Sequence, residues 1–476
     1  MIEPKQISNN LWEIPFGSVG GMRIPAHVFA SPSLMSKALE DRAVEQIANV
    51  ATLPGVMAAV AMPDIHWGYG FPIGGVAATE GVTGAISPGG VGFDIGCGVR
   101  LLRSELHWND VRHRLSELVR RLGQETPKGV GGKGRLPLRG NDLEGVMREG
   151  ARAMVARGIG SERDLELCED DGALTGADPS RVSDRAKERG GSQLGSLGSG
   201  NHFLEVQVID EIRDAEAARV MGLQEGMVCV MIHSGSRGIG HQVCSDHVKV
   251  FDRKMKEVGI DVPDRQLACL PLDRPEAEAY LGAMDAAGNF AKANRHMLAD
   301  AVRAAFAATF GEGTALELVY DISHNLAKME DHEIEGSMRR VCVHRKGATR
   351  AFGPRHPELP ERYADIGQPV LVPGSMGTAS FVLVGRSDSP MQAFASSCHG
   401  AGRAMSRTKA KKQLSGHELK KQLADRGIII SAGKTSALSE EAPFAYKDVS
   451  EVVETCESAG LTNIVARLRP VGVIKG

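Results

Sequence analysis

The sequence predicts an α+β fold in one integrated unit, and three observations carry that prediction. Strand-like apolar runs recur at "HFLEVQVI", "MVCVMIHS", "LELVYDIS", "MRRVCVHR", "PVLVPGS" and "SFVLVG". Helical patterns separate some of them, notably over 240–258 and 275–309, without the strict alternation of a doubly wound sheet. Residues able to do chemistry are spread from position 94 to position 475, with no internal repeat and no low-complexity linker between them.

In chain order, residues 38–62 read as a helix followed by a strand. A glycine-rich stretch from Gly68 to Gly98 holds short β-like pieces such as "GGVAATEGVTGAI". Leucines recur at helical spacing among charges over 108–123. The segment "SERDLELCEDDGALTGADPS" (161–180) is acidic and turn-rich, and is expected to be an exposed excursion. Near the end, Ser415 and Glu418 form a capping box ahead of Leu419 and Leu423 on one helix face, and Gly427 stops that helix.

Composition narrows the function. The 57 glycines cluster in short motifs, and aromatics are only 4% of the 476 residues. The start, "MIEPKQISNN", is not a basic segment leading into an apolar one, and no apolar run is long enough for a bilayer, so a cytoplasmic protein is expected. A net charge of −3 argues against a generally basic nucleic-acid binder, although "RRVCVHRKGATR" (339–350) and "RAMSRTKAKK" (403–412) are locally positive. None of the eight cysteines shows C-x-x-C spacing. Cys229 and Cys342 sit in apolar runs and read as core; Cys97, in "FDIGCGVR", is surrounded by glycines and stands three residues after Asp94.

Three histidines close apolar runs and lead into polar or glycine-rich sequence: His202 in "GSGNHFLEV", His233 in "VMIHSGSRG" and His324 in "VYDISHN". With Asp94 and Cys97 they offer imidazole, thiolate and carboxylate, a donor set suited to transition metals. Five ligands are too many for one tetrahedral ion with an open position, but they fit two ions if the thiolate is shared. Paired ions about 3.5–4 Å apart can clamp the attacking and leaving oxygens of phosphoryl transfer. His241, His247, His296 and His332 read as surface or structural residues.

"SSCHGAGRAMSR" (396–407) juxtaposes Cys398 and His399. Side chains of neighbours in an extended segment point to opposite faces, which weakens a thiol–imidazole pair. Gly400 and Gly402 leave backbone N–H groups open to an anion ahead of a helix expected to start at Arg403. A histidine before a phosphate cradle suggests nucleophilic attack on phosphorus. "GIIISAGKTS" (427–436) mimics a phosphate-binding P-loop but has five residues between its glycines where four are required.

Taken together, "MPDIHWGYGFPIGG", "GGVGFDIGCGVR", "LGSGNHFLEV", "IHSGSRGIGHQ", "DISHN", "VHRKGATRAF", "PGSMGTASFVLVG", "SCHGAGRAMSR" and the terminal "VGVIKG" resemble the RtcB family of GTP-using RNA ligases. They run in order from residue 62 to the C-terminus, while 124–190 matches little. The resemblance implies one catalytic domain over 1–476, with mixed β-sheets packed as a sandwich core flanked by helices. It implies two Mn(II) ions, one on Asp94, Cys97 and His202 and the other on Cys97, His233 and His324. His399 would attack the α-phosphorus of GTP and carry GMP. Asn201 would lie near the phosphate and Glu205 near guanine, with His202, Phe203, Leu204, His324 and Asn325 also in the nucleotide-contact set. Pro373, Gly374, Ser375, Met376, Ser380, Gly400, Ala401 and Gly402 would complete the pocket, Lys475 would reach guanine and Tyr446 would stack on it.

The implied reaction joins an RNA 3′-phosphate or 2′,3′-cyclic phosphate end to a 5′-hydroxyl end, in tRNA splicing or RNA repair, and an archease-type activator is an expected partner. Arg345, Lys346, Arg350 and Arg403 would then bind RNA phosphates. Two rivals follow from the same residues. A dinuclear phosphoester hydrolase would use His399 to bind phosphate and would form no covalent nucleotide. A non-catalytic RNA-binding protein would hold its metals as structural ions.

Overall fold

The strand-like runs assemble into two large sheets in the computed structural model, which describes residues 2–129 and 131–476. The first sheet has seven strands, ordered Lys5–Ser8, Leu11–Ile14, Ala26–Phe29, Val56–His66, Ile73–Glu80, Ser337–Lys346 and Asn325–Ile334. The second has eight, including Leu316–Ser323, Gly98–His107, Met227–Ser234, Phe203–Ile212 and Thr462–Lys475 as successive neighbours. Strands Ser380–Gly385 and Pro369–Val372 extend its far edge.

Period-two alternation explains how the sheets share a core. Along 369–385, Val370, Val372, Phe381 and Leu383 join the apolar cluster of the first sheet. Their alternates Leu371, Val382 and Val384 join the cluster of the second. The α+β expectation holds. So do the long helices, which run over Arg237–Glu257 and Pro275–Phe310. The helix expected at Arg403 instead starts at Arg407, because the Ser406 hydroxyl caps it by accepting the Lys409 N–H at 3.2 Å. Ser415 and Glu418 form their capping box as expected.

The 36-residue helix Pro275–Phe310 is the spine beneath the site. Alanine keeps it helical at little entropic cost and lets other chain segments approach closely. Its buried polar residues face inward. The Asn294 amide accepts the N–H groups of Gly195 and Ser196 and donates to Ser196 O and Gly235 O. Arg295 donates to Gly96 O at 2.7 Å and Ser234 O at 3.1 Å while pairing with Asp321 at 2.7 Å. Arg100 pairs with the other oxygen of Asp321, also at 2.7 Å. Burying these charges is tolerable because each is matched and hydrogen-bonded.

The acidic segment 161–180 corrects its expectation of exposure over much of its length. Leu165, Leu167, Cys168, Glu169 and Leu174 are buried. Asp164 pairs with Arg303 at 2.6 Å, Asp170 with Lys328 at 2.6 Å, and Glu169 accepts the backbone N–H of Ser323 at 3.1 Å. Asp164, Glu169 and Asp170 serve cations of the core, while Glu162, Glu166 and Asp171 remain exposed.

Candidate functional site

Two adjacent rows of residues across the second sheet explain why distant motifs meet. Ser323 lies opposite Gly98, Gly98 opposite Ser234, His233 opposite Phe203, and Phe203 opposite Lys475. Cys97, His202 and His324 flank the members of those rows, so register alone brings them to one edge. The glycine loop before Cys97 packs directly on the spine helix. Gly96 has φ +69°, and a Cβ there would stand 2.8 Å from the Cα of Gly288.

The resulting cluster is tight. His202 Nε2 lies 2.7 Å from Asp94 Oδ2 and 3.4 Å from Cys97 Sγ. Cys97 Sγ lies 3.3 Å from His233 Nε2, which is 3.3 Å from His324 Nε2. The geometry forms two groups, Asp94–Cys97–His202 and Cys97–His233–His324, each with donor atoms within 4.8 Å of one another. Cys97 belongs to both.

Electrostatics fit the same arrangement. Burial pushes the Cys97 thiol well above its usual range, and the Asp94 charge adds to that. Burial, then neighbouring imidazoles, hold His233 and His324 well below theirs. Burial alone would raise Asp94, but His202 beside it brings the carboxyl below the ordinary range. The neutral imidazoles of His233 and His324, a thiol and a carboxylate thus crowd together, an arrangement that divalent cations would relieve.

His399 shares a cavity of about 380 Å³ with this cluster. Its ring lies 4.8 Å from that of His324. Nδ1 is 2.6 Å from Oδ2 of the buried Asp64, which also accepts the His399 backbone N–H at 3.0 Å. Among the described residues Nε2 has no hydrogen-bond partner. Gly402 lets the loop close over Asp64, because a Cβ at its φ of +72° would stand 2.3 Å from the Asp64 carbonyl oxygen. Cys398 is buried away from the cavity, as alternation required.

Comparison with known proteins gives this constellation its family. The family model described as "tRNA-splicing ligase RtcB" matches residues 46–476. The chain belongs to the RtcB family. It is 52% identical to a protein of Archaeoglobus fulgidus named tRNA-splicing ligase RtcB, over 99% of this chain and 98% of that one. A Thermococcus kodakarensis protein of the same name is 50% identical, over 100% and 99% of the two chains. A Mycobacterium tuberculosis protein named RNA-splicing ligase RtcB is 56% identical over 90% of this chain and 100% of its own.

Most of the pocket residues that the RtcB resemblance implies do converge. Asn201, Phe203, Asn325, Pro373, Gly374, Gly400, Ala401, Gly402 and Tyr446 line the cavity with His324 and His399. Glu205 is buried beside it, taking a hydrogen bond from Gln207 at 2.8 Å; burial pushes its carboxyl up to about 8 against the pull of Gln207 and Lys475. Lys475 is no frayed terminus: it is 4% exposed, with its amine 5.7 Å from the centre of the Phe203 ring. Ser380 accepts the Gly374 N–H at 3.2 Å, and the Ser375 N–H donates to Thr378 at 2.7 Å. Leu204 and Met376 are exceptions. Leu204 alternates into the core, and Met376 packs on Leu419 and Leu423, so neither side chain lines the cavity.

The expected phosphate-binding cations divide. Arg345 is buried against Glu330 at 2.6 Å, and Arg350 against Glu169 at 3.1 Å and Glu358 at 2.6 Å, which withdraws both from RNA. Their strands face the interior where a run of arginines suggested a surface. Lys346 and Arg403 do line the cavity. Burial lowers Lys346 to about 7, and its amine donates to the Phe71 and Tyr69 carbonyls. Arg403 pairs with Glu441 at 3.2 Å and lies 5.0 Å from the Tyr446 ring.

Sequence reasoning missed Asp64 and Glu441. Asp64 lies inside the quoted "MPDIH", but nothing local links it to a histidine 335 positions later. Glu441 gathers Arg403, Arg407 and the Tyr446 hydroxyl beneath the far end of the cavity, and its stretch carries no motif.

Proposed function

We propose that this chain is a GTP- and Mn(II)-dependent RNA ligase, acting through a histidine–GMP intermediate on His399. The observation that carries the reading is the His399 imidazole. Asp64 holds its Nδ1, its Nε2 is unpartnered among the described residues, and its ring is 4.8 Å from a member of the ligand cluster. Family membership supports the substrate class.

Asp64 keeps the His399 proton on Nδ1, so Nε2 offers its lone pair to the α-phosphorus of GTP. The phosphorus–nitrogen bond forms as the bond to the β-phosphate oxygen breaks, and pyrophosphate leaves. The imidazole, now positive, is stabilised by the Asp64 carboxylate. Tyr446 would stack on guanine, Glu205 and Lys475 would read its edge, and Asn201 with the Gly400–Gly402 backbone would hold the phosphate. An RNA 3′-phosphate oxygen then attacks the same phosphorus, releasing His399; a cyclic phosphate is first opened by water. Attack of the 5′-hydroxyl on the activated 3′-phosphate expels GMP and joins the strands.

Asp94, Cys97 and His202 would hold one ion, and Cys97, His233 and His324 the other; the ions would stabilise charge developing on phosphoryl oxygens. Manganese rather than zinc rests on the family resemblance, since donor softness alone favours zinc. The reading includes a single catalytic unit over 1–476, a cytoplasmic setting and an archease-type activator. Among the described residues no helix is long and apolar enough to cross a membrane.

The test is covalent labelling with GTP carrying the label on its α-phosphate, plus Mn(II). Label that is lost in acid, survives alkali and is absent from His399→Ala establishes the intermediate. A metal-loaded chain that takes no label, with and without an archease-type partner, but hydrolyses phosphoesters would instead be the dinuclear hydrolase.

A further inference from the structure

Of the chain's five tyrosines, Tyr280, Tyr320 and Tyr363 are fully buried, while Tyr446 and Tyr69 line the cavity. Tyr446 belongs with Glu441 and Arg403 at the end assigned to guanine. Tyr69 has no hydrogen bond or ring contact with that group among the described residues. It belongs to the turn "WGYG" (67–70), beside Phe93 and next to the ligand cluster.

That turn is held rigidly by its backbone. The Trp67 N–H donates to Asp41 at 3.2 Å, the Gln46 amide clasps both the N–H and the carbonyl of Gly68 at 2.8 and 2.7 Å, and the Gly70 N–H donates to Gln266 at 2.9 Å. The carbonyl of Tyr69 accepts from Lys346, which also lines the cavity. The rings, by contrast, are left open. Trp67 is 49% exposed, and Tyr69 and Phe93 are half-buried. The Tyr69 ring meets Phe93 edge-on at 5.1 Å and 70°, and Phe93 lies 5.0 Å from the exposed His241 ring at 32°.

Open rings on a backbone fixed at several points suit a binding surface, because little of it must be ordered when a ligand arrives. Flat, rigid rings beside a basic amine suit a nucleobase and its phosphate, whose charge would favour the protonated amine. Stacking tolerates any base, as joining RNA ends of varied sequence requires. We propose that Tyr69, supported edge-on by Phe93, is a stacking platform for a nucleobase at the RNA junction, with Lys346 facing the adjoining phosphate. This rests on the ligase reading and adds a base-binding subsite to it, separate from the guanine end.

The test is a coupling experiment on ligation kinetics. Wild type, Tyr69→Ala and Tyr69→Phe are compared on RNA pairs whose terminal nucleotide is normal, abasic on the 3′-phosphate strand, or abasic on the 5′-hydroxyl strand. Tyr69→Ala is expected to raise the KM for RNA by about 5- to 30-fold, the lower part of the range for base–aromatic stacking. Tyr69→Phe should stay near wild type. Removing the stacked base should cost wild type a similar factor and cost Tyr69→Ala nothing more, and the strand that shows this coupling is the one on the platform. Should alanine unfold the turn, Tyr69→Leu, which keeps apolar bulk against Phe93, enters the same comparison. If the variant remains as sensitive as wild type to abasic ends on both strands, the platform is wrong. Labelling of wild type by GTP separates the two levels. A labelled enzyme without coupling overturns only the platform, and an unlabelled one overturns the ligase reading beneath it.

Discussion

A single carboxylate oxygen, Oδ2 of Asp64, holds His399 twice, at the ring Nδ1 (2.6 Å) and at the backbone N–H (3.0 Å). The side chain and the loop that bears it are thereby fixed by one buried group. Asp64→Asn keeps the shape but loses the charge that stabilises a positive imidazole. The rate of covalent GMP labelling should fall by about 10²-fold or more. Fold and metal content should survive, as circular dichroism and metal analysis would show. An unchanged labelling rate would remove Asp64 from the mechanism.

Glu205 makes a pH prediction with a definite sign. Burial raises its carboxyl to about 8 in the folded chain, against 4.5 ordinarily. Between those values the folded state keeps a proton that the unfolded state has lost, so this residue lowers stability as pH rises from about 4.5 to 8, then levels off. Glu205→Gln should flatten that part of the profile in denaturant titrations at pH 5 and pH 8. If guanine N–H groups bind this side chain as proposed, they favour its ionised form, so the same variant should weaken GTP binding: an amide offers one acceptor oxygen where the ionised carboxyl offers two. A variant with the parent's pH slope would show that Glu205 is not raised.

Metal loading should release a proton from Cys97. The thiol is pushed above its usual range in the metal-free site, whereas His233 and His324 are already neutral and have none to give. Titration calorimetry with Mn(II) in two buffers of different ionisation enthalpy should report release of about one proton per chain, and affinity should rise with pH. Cys97→Ala should lose both the proton and the second ion. Two ions bound with no proton released would contradict the shared thiolate.

Arg345 separates a structural cation from an RNA-binding one. Its guanidinium is enclosed with Glu330 at 2.6 Å and donates to the Phe394 carbonyl at 2.8 Å. Arg345→Ala leaves the buried Glu330 carboxylate with His332, at 2.8 Å, as its remaining partner and should cost about 3 kcal/mol in unfolding free energy, the low end for a broken buried pair. The salt dependence of RNA binding should keep the parent's slope, since no phosphate contact is lost. A stable variant with a shallower salt slope would return Arg345 to the RNA surface.

By itself the sequence determined the α+β class, the long helices, the Ser415–Glu418 cap and the candidates Asp94, Cys97, His202, His233, His324 and His399. These are legible because each depends on a local period, a cap or a residue type beside glycine. Only the tertiary structure decided which of them meet. The strand register that aligns Ser323 with Gly98 and Ser234, and His233 with Phe203 and Lys475, is a property of pairing between segments far apart in the chain, and no local pattern encodes it. The same holds for charge. Arginines in "VHRKGATR" and acids in 161–180 look alike on paper whether they face water or one another. Burial turned them into matched pairs in the core, because an unmatched charge there is too costly to keep. Asp64 became a partner of His399 for the same reason: the fold, and not the chain, made them neighbours.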